Sequence, residues 1–168
     1  ATVVSLAKPP FDDGFLISMS IRLMQEEDLA AVMINENAAY DFPWSASIME
    51  SNQKRHYCVV FEAESDGENA GEILGHAILS TVVDEASVLN IAVSPKAQRQ
   101  RIGHQLMANI LQYAESKNCI EVFLEVRESN RPAFTMYHQF GFNEVGVRNN
   151  YYPCQQGREN AILLACYL

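Results

Sequence analysis

The sequence predicts an α+β domain in which a mixed, mostly antiparallel sheet of about seven strands is flanked by about four helices. Three observations predict this class. Segments with strand-like alternation outnumber segments with helical periodicity. Three of the strands follow one another without a helix between them, so they can form an antiparallel meander. After a short first strand, the order αα, βββ, α, β, α, ββ contains no regular βαβ repeat.

The chain has the size and composition of one globular domain. Its 168 residues suit a single domain, and a content of 48% hydrophobic and 20% charged residues can bury a core. No apolar run approaches the roughly 20 residues that cross a bilayer, so we expect a soluble, cytoplasmic protein without membrane contact. Residues 1–18 contain one basic residue and two aspartates, which argues against a signal peptide. We predict that they are a flexible extension or a cloning remnant ahead of one domain over residues 19–168.

The N-terminal part is predicted to contain one short strand and two helices. Residues 21–23 are strand-like, and three consecutive acidic residues fit the first turn of a helix over residues 25 to about 40. The segment Phe42-Pro43-Trp44 ends that helix. Ser45 is a suitable N-cap for a second helix that reaches about residue 52.

A three-stranded meander is predicted next, over residues 56–63, 73–83 and 85–93. The Asp66-Gly67 pair within residues 65–71 predicts a hairpin turn between the first two of these strands. Pro95 ends the third strand.

Helices and strands alternate in the second half of the chain. An apolar stripe at helical spacing predicts a helix from residue 102 to about 117. A strand over residues 120–127 and a helix over residues 130–139 follow, and Gly141 closes that helix, as glycine does just past a C-terminus. The chain ends in two strands joined by a loop, namely about residues 143–152, a loop with Pro153 and Gly157, and about residues 160–167.

The net charge of −9 bears on the kind of partner. Duplex binding neutralises many phosphates with Lys and Arg, so we expect no direct nucleic-acid binding. The charge favours a cationic partner, although acidity that serves only solubility explains it as well. Lys96, Arg99 and Arg101 form a local basic cluster. The four cysteines and four histidines lack metal-ligand spacing, so we expect no metal.

Residues 93–103 run from a strand through a basic loop into a helix. A helix N-terminus offers unpaired N–H groups and partial positive charge, which suit a pyrophosphate. Gly103 would let the backbone approach phosphate oxygens closely. By themselves, these residues fit an ordinary solvated loop, which is the commoner case.

Glu125 and Tyr137 are the candidate chemical groups. Strand alternation places Glu125 and Arg127 on one face of their strand. A carboxylate near the centre of a covered strand is costly unless it is paired or used. Glu125 therefore fits either a catalytic role or an ion pair with Arg127. Tyr137, one helical turn from Ala133 and Gly141, also fits a core position with its hydroxyl at the rim.

Together, these segments resemble the GCN5-related N-acetyltransferase (GNAT) superfamily. The resemblance rests on Gln98-x-x-x-Ile102-Gly103, on Asn130…Ala133…Tyr137…Gly141-Phe142 and on the order of helices and strands. Over about residues 20–165 the chain is also similar to the bacterial ribosomal-protein-alanine N-acetyltransferases. The segments that carry this second similarity are Phe42-Pro43-Trp44-Ser45, Asp84-Glu85-Ala86, Asn90-Ile91-Ala92-Val93, Leu124-Glu125-Val126-Arg127, and Asn149-Asn150-Tyr151-Tyr152-Pro153 with Gly157-Arg158-Glu159.

The resemblance implies a GNAT-like fold and an acetyl transfer from acetyl-CoA to a protein N-terminal amine, namely the N-terminal alanine of a small-subunit ribosomal protein. It implies that Glu125 helps to deprotonate the acceptor amine through a water molecule. It further implies that Tyr137 protonates the leaving coenzyme A thiolate. A backbone N–H near Val93 would stabilise the oxyanion.

The resemblance also implies two sets of binding residues. Acetyl-CoA would contact the strand end, the basic loop and two helix N-termini through Ile91, Ala92, Val93, Gln98, Arg99, Gln100, Arg101, Ile102, Gly103, His104 and Asn130. The acceptor, an N-terminal peptide of a basic ribosomal protein, would contact Phe42, Trp44, Asp84, Glu85, Tyr151 and Tyr152. Ordinary loop packing is the alternative explanation for Trp44 and Tyr152.

Two residues depart from the superfamily's loop, which usually reads Gln/Arg-x-x-Gly-x-Gly/Ala. Arg101 occupies the first glycine position, where it strains the loop if its φ is positive and costs little if the residue is helical. His104 stands where the family commonly has a basic side chain.

Two other functions fit parts of the sequence. The acidic composition fits an acetyltransferase for a small amine, such as a polyamine or an antibiotic, equally well. Arg101 would also fit a catalytically silent acyl-CoA-binding module whose loop has decayed. The joint presence of Glu125, Asn130 and Tyr137 speaks against decay.

Overall fold

The computed structural model describes residues 19–63 and 70–168. Residues 1–18 and most of the predicted turn at residues 65–71 lie outside these ranges. The helices and strands are β1 (Met19–Leu23), α1 (Leu29–Ala39), α2 (Ala46–Arg55), β2 (Tyr57–Ala63), β3 (Ile73–Val82), β4 (Glu85–Val93), α3 (Ile102–Ser116), β5 (Glu121–Arg127), α4 (Arg131–Gln139), β6 (Asn143–Cys154) and β7 (Gly157–Tyr167).

The strands form one seven-stranded sheet in the order β1-β2-β3-β4-β5-β7-β6. Every neighbouring pair is antiparallel except β4 and β5, which run parallel because α3 crosses from one to the other. The predicted fold class, a mostly antiparallel sheet of seven strands with four helices, is confirmed.

Strands β4 and β5 separate after a short parallel ladder. Their pairing runs from Glu85 opposite Glu121 to Val88 opposite Leu124 and then stops. Leu89 is the extra residue of a bulge against β3, since Ile78 pairs with Asn90 while its neighbour Leu79 pairs with Val88. A bulge bends its strand and increases the local twist, so the far ends of β4 and β5 diverge into a gap.

The backbone of β4 points polar groups into this gap. The Ser94 N–H donates to the Leu74 carbonyl at 2.8 Å and therefore faces β3. Because backbone groups alternate in direction along a strand, the N–H groups of Val93 and Ile91 face the opposite way, towards the gap. The gap is thus bordered by backbone amides that β5 does not pair.

Helices cover both faces of the sheet. The predicted stripe of α3 is buried against one face, with Ile102, Leu106, Ile110 and Ala114 each at most 1% exposed. Helices α1 and α2 cover the other face, where a smaller core includes Val32 and Met49. No helix in the described ranges is long and apolar enough to span a membrane.

Several boundaries differ from the predictions, among them the end of α2, which lies at Arg55 and not at about residue 52. Helix α1 begins at Leu29, because residues 26–28 form a 3-10 turn that the Asp28 carboxylate fixes by accepting from the Gln25 N–H at 2.7 Å. The predicted loop with Pro153 and Gly157 is shorter, since both residues lie in strands and the turn is Gln155-Gln156. Pro153 is tolerated because β6 is an edge strand.

Candidate active site

The gap between β4 and β5 opens into a cavity of about 300 Å³. Five parts of the fold line it: α1 with the loop after it, the middle of β4, the end of β5, α4 with its N-cap, and the end of β6. The lining residues are Glu36, Tyr40, Phe42, Trp44, Val88, Leu89, Asn90, Ile91, Leu124, Glu125, Val126, Arg127, Asn130, Tyr137, Tyr152 and Pro153. Both candidate chemical groups, Glu125 and Tyr137, therefore face one cavity.

Glu125 lies on β5 directly after the last residue of that strand that pairs with β4. It is half-buried, in line with the alternating burial along β5. Its Oε1 lies 3.2 Å from Nε of Arg148 on β6. The ion pair with Arg127 is not formed, because the Arg127 guanidinium binds Glu159 on β7 at 2.9 Å instead. Glu125 thus keeps a carboxylate at the cavity with one partly exposed cationic neighbour.

Three tyrosines bring their hydroxyls to the same region. Burial raises the pKa of the Tyr137 hydroxyl, and the neighbouring Tyr152 raises it further. Burial, followed by the charge of Glu125, raises the pKa of Tyr152 to about 12. Burial, with Tyr137 and Glu36 nearby, also raises the pKa of Tyr40. All three therefore keep their protons near neutral pH and can act as donors.

The hydroxyls of Tyr40 and Tyr137 are used differently. Tyr40 donates to the carbonyl of Ile91, so that carbonyl is occupied while the Ile91 N–H remains directed at the gap. Among the described residues, no group forms a hydrogen bond with the Tyr137 hydroxyl. Tyr137 thus offers a buried proton donor that the fold does not use for its own hydrogen bonding.

Arg127 holds the outer wall of the cavity together. Its guanidinium carbon lies 4.5 Å from the ring centre of Tyr152 and 5.5 Å from that of Phe42. It also donates to the Pro153 carbonyl at 2.8 Å. The loop after α1 and the end of β6 are therefore joined through one cation between two aromatic rings.

A second, wider basin of about 740 Å³ adjoins the cavity on this side. The two share Tyr40, Phe42, Arg127, Asn130 and Pro153. The basin adds the carboxylates of Asp41 and Glu159 and the polar turn of the β6–β7 hairpin. A chain that left the cavity by this route would pass aromatic groups and charges of both signs, because Arg127 and Arg158 line the basin as well.

The N-terminus of α3 is the place where the sequence predicts an anion-binding element. Arg101 is its N-cap but makes no side-chain capping bond, so the N–H groups of the first turn are left for a ligand. Gly103 allows close packing there, because an added Cβ would lie 3.3 Å from Sδ of Met136 and 3.7 Å from Cγ2 of Val93. The helix end therefore sits tightly against β4 and α4.

The sequence left a strained, positive φ and a helical φ open for Arg101, and the structure shows the strained one. Its φ is 61°, in the left-handed region, and Arg99 has a φ of 63°. We expect Arg101→Gly to stabilise the fold by about 1 kcal/mol, because glycine reaches this region without steric cost. In a domain of this size the melting temperature should rise by about 2–4 °C in calorimetry.

Arg101→Ala is the matched control for this prediction. Alanine removes the same positive charge but keeps the Cβ that causes the strain, so it should give no such rise. A melting temperature that rises equally in both variants would show that charge, and not backbone strain, limits stability at this position.

The structure brings some of the predicted binding residues together and leaves others apart. Phe42, Trp44, Tyr152, Ile91 and Asn130 line the cavity, and Asn130 also caps α4 by accepting from the Ala133 N–H at 3.3 Å. The rest of the predicted coenzyme set follows the cavity along the chain from the end of β4 into α3: Ala92, Val93, Gln98, Arg99, Gln100, Arg101, Ile102, Gly103 and His104.

Three predicted acceptor residues do not line the cavity. Asp84 lies in the turn between β3 and β4, and Glu85 begins β4, at the end where that strand is still paired with β5. Tyr151 is exposed and contacts the cavity only indirectly, through its edge-on packing against Tyr152 at 5.0 Å between ring centres.

Sequence reasoning missed four polar residues of the cavity. Asn90 and Arg127 belong to segments that carry the resemblance, but nothing in the spacing assigned them to the site. Glu36 and Tyr40 come from α1, and no local signal marks them. Among the described residues, no cluster of three or more His, Cys, Asp or Glu side chains is arranged for a metal.

Comparisons with known proteins agree with this fold. A sequence model of the acetyltransferase (GNAT) family matches residues 22–142. The [ribosomal protein bS18]-alanine N-acetyltransferase of Escherichia coli K12 is 39% identical over 146 residues, covering 87% of this chain and 95% of that protein. The crystal structure of the E. coli ribosomal-protein-S18-alanine N-acetyltransferase superposes with a TM-score of 0.82 at 37% identity, covering 89% and 93% of the two chains. Arabidopsis thaliana NAA60 in complex with acetyl-CoA has the same fold, with a TM-score of 0.79 at 14% identity over 90% and 99% of the two chains.

Proposed function

This chain belongs to the acetyltransferase (GNAT) family and is an acetyl-CoA-dependent N-acetyltransferase, and from this premise we propose that its acceptor is the N-terminal alanine of ribosomal protein bS18. The observation that carries the proposal is the shared cavity, in which Glu125 and Tyr137 face the gap beside the unpaired amides of β4. Relatives that act on this acceptor match nearly their whole length.

The coenzyme would lie along the open edge of β4. The Ile91 N–H and the Val93 carbonyl would pair with the amides of its pantetheine arm, as a neighbouring strand would, and the Val93 N–H would stay free. The first turn of α3, assisted by Arg99, would hold the pyrophosphate through backbone N–H groups and charge. No metal is needed for this arrangement.

The acceptor amine would enter from the basin on the other side of the cavity. Glu125 would take a proton from the ammonium group through a water molecule, and the free amine would then attack the thioester carbonyl. A β4 amide such as that of Val93 would stabilise the resulting oxyanion. The attacking nitrogen would then lose its second proton to water in the cavity, the C–S bond would break, and Tyr137 would give its proton to the departing thiolate and be reprotonated from water.

The basin supports a peptide acceptor. Asp41 offers a carboxylate, and Phe42 and Tyr152 offer aromatic surface, to residues that follow the reacting N-terminus, while the Glu159 carboxylate is paired with Arg127. Such a surface suits a peptide that begins with a small residue and continues with basic ones, as expected for a ribosomal protein. The proposal thus places the enzyme in the cytoplasm, with its substrate.

A three-acceptor assay tests the proposal. Release of free thiol from acetyl-CoA is followed with an Ala-Arg-initiated peptide of bS18 type, with spermidine and without acceptor. We expect turnover with the peptide only. Turnover with spermidine alone would assign the enzyme to small amines, and coenzyme binding without turnover in all three would indicate a silent binding module. Mass spectrometry of the bS18 N-terminus in cells with and without this gene tests the same point in vivo.

A further inference from the structure

Glu36 is a buried carboxylate that three separate parts of the fold share. It lies on the inner side of α1 and is 1% exposed. Its Oε1 accepts from the backbone N–H of Trp44 at 3.0 Å. The side-chain amide nitrogen of Asn90 lies 3.2 Å from both carboxylate oxygens, and Nε2 of His76 lies 3.2 Å from Oε2. One side chain therefore connects α1 with the loop after it, with β4 and with β3.

The donors keep this carboxylate ionised. Burial by itself would raise the pKa of Glu36, but the hydrogen bonds from His76, from the Trp44 N–H and from Asn90 outweigh burial and lower it. An ionised carboxylate can only accept hydrogen bonds, so all three neighbours act as donors. The orientation of the Asn90 amide is thereby fixed, with its nitrogen towards Glu36.

The groups that Glu36 ties together form one wall of the cavity. Glu36, Trp44 and Asn90 all line it. Trp44 follows Phe42 in the loop that Arg127 clamps from the other side, and Asn90 follows the bulge at Leu89 where the gap opens. The contacts of Glu36 do not reach the N-terminal turn of α3. A shift of this carboxylate would thus move the acceptor side and leave the anion-binding side in place.

We propose that Glu36 is a positioning residue for the acceptor, which holds the loop at residues 42–44 against β4 so that the amine-binding wall is preformed. The proposal rests on the proposed function, because that function assigns the acceptor to this wall. Glu36 acts through Trp44 and Asn90 and takes no part in the proton transfers.

A second buried carboxylate serves as a matched control, which separates positioning of the acceptor from a general contribution to folding stability. Asp28 is a second buried carboxylate, 7% exposed, and it accepts from the two terminal nitrogens of Arg22 at 2.7 Å and 2.9 Å. It does not line the cavity. Asp28→Asn should therefore disturb folding stability without moving the acceptor wall.

Fluorescence of Trp44 tests the proposal without any acceptor. Trp44 is the single tryptophan of the chain, so acrylamide quenching reports on this loop alone. In Glu36→Gln, a donor NH2 group replaces one of the two acceptor oxygens. At least one of the neighbouring donors then loses its acceptor, and the loop should become more mobile. We expect the quenching constant to rise about twofold or more in Glu36→Gln and to stay unchanged in Asp28→Asn.

Kinetics then separate positioning from general damage. The KM for the bS18-type peptide should rise about tenfold in Glu36→Gln, because a small misplacement of a binding wall has a large effect on the bound geometry. The Kd for acetyl-CoA, measured by calorimetry, should stay within about twofold of the wild type. Asp28→Asn should change neither quantity.

Two results would overturn the proposal. One is unchanged Trp44 quenching in a folded Glu36→Gln protein; the other is a loss of acetyl-CoA affinity as large as the loss for the peptide. If Glu36→Gln does not fold, Glu36→Asp is measured in the same way, since its shorter side chain cannot reach all three donors. If the wild-type enzyme showed no turnover with the peptide, the proposed function would be refuted. The comparison of Trp44 quenching would still decide the role of Glu36.

Discussion

Replacing Glu125 with glutamine should lower kcat by about 100-fold near neutral pH, which is the usual contribution of a general base. The acceptor arrives mostly as an ammonium ion, and glutamine cannot take its proton. The affinity for acetyl-CoA should remain almost intact, because the coenzyme would be held by β4 amides and by α3. Folding stability should also change little, since the pair with Arg148 is partly exposed and such pairs contribute about 0–1 kcal/mol.

The measurement is steady-state turnover from pH 6 to pH 9 with calorimetric acetyl-CoA binding. Glu121→Gln is the matched control, because Glu121 is half-buried on the same face of β5 but lies outside the cavity. The control should retain wild-type turnover. Unchanged turnover in Glu125→Gln across the pH range would exclude Glu125 as the base.

Replacing Tyr137 with phenylalanine should lower kcat by about 10-fold to 100-fold, which is at or below the range for general acids because a thiolate leaves readily. The variant removes one hydroxyl that no described group binds, so it leaves no unpaired partner behind. We therefore expect a melting temperature close to that of the wild type, together with slow turnover.

Tyr57→Phe serves as the control, because the Tyr57 hydroxyl has a hydrogen-bond partner and lies outside the cavity. The Tyr57 hydroxyl donates to Oδ1 of Asn109 at 3.1 Å, and its ring stacks on Tyr113 away from the cavity. Its removal should cost about 1 kcal/mol of stability and leave kcat unchanged. A Tyr137→Phe variant that loses stability and keeps its rate would make Tyr137 a structural residue.

The fold could be predicted because most of its elements carry local signals. The apolar stripe of α3 has helical spacing and is buried as expected. The alternation in β5 placed Glu125 opposite the aliphatic face, and Ser45 does cap α2 by accepting from the Ile48 N–H at 3.3 Å. These patterns depend on neighbouring residues alone, so one sequence is enough to see them.

The site could be predicted only in part, because its walls depend on contacts between distant segments. Glu36 meets Asn90 and His76 only through the packing of α1 on the sheet, at separations of 54 and 40 residues. The choice of Glu159 over Glu125 as the partner of Arg127 depends on how β5 and β7 come together. The left-handed φ of Arg101 was one of two alternatives that the sequence could not separate.

Because the ladder between β4 and β5 stops after four pairs, a coenzyme bound along the open edge of β4 would be a structural component as well as a reactant. Amides of β4 that lack a strand partner should exchange their hydrogens rapidly in the free protein and become protected once acetyl-CoA pairs with them. A ligand that binds only the folded state stabilises it in proportion to the logarithm of its concentration. The resistance of this protein to proteolysis should therefore rise with the concentration of acetyl-CoA.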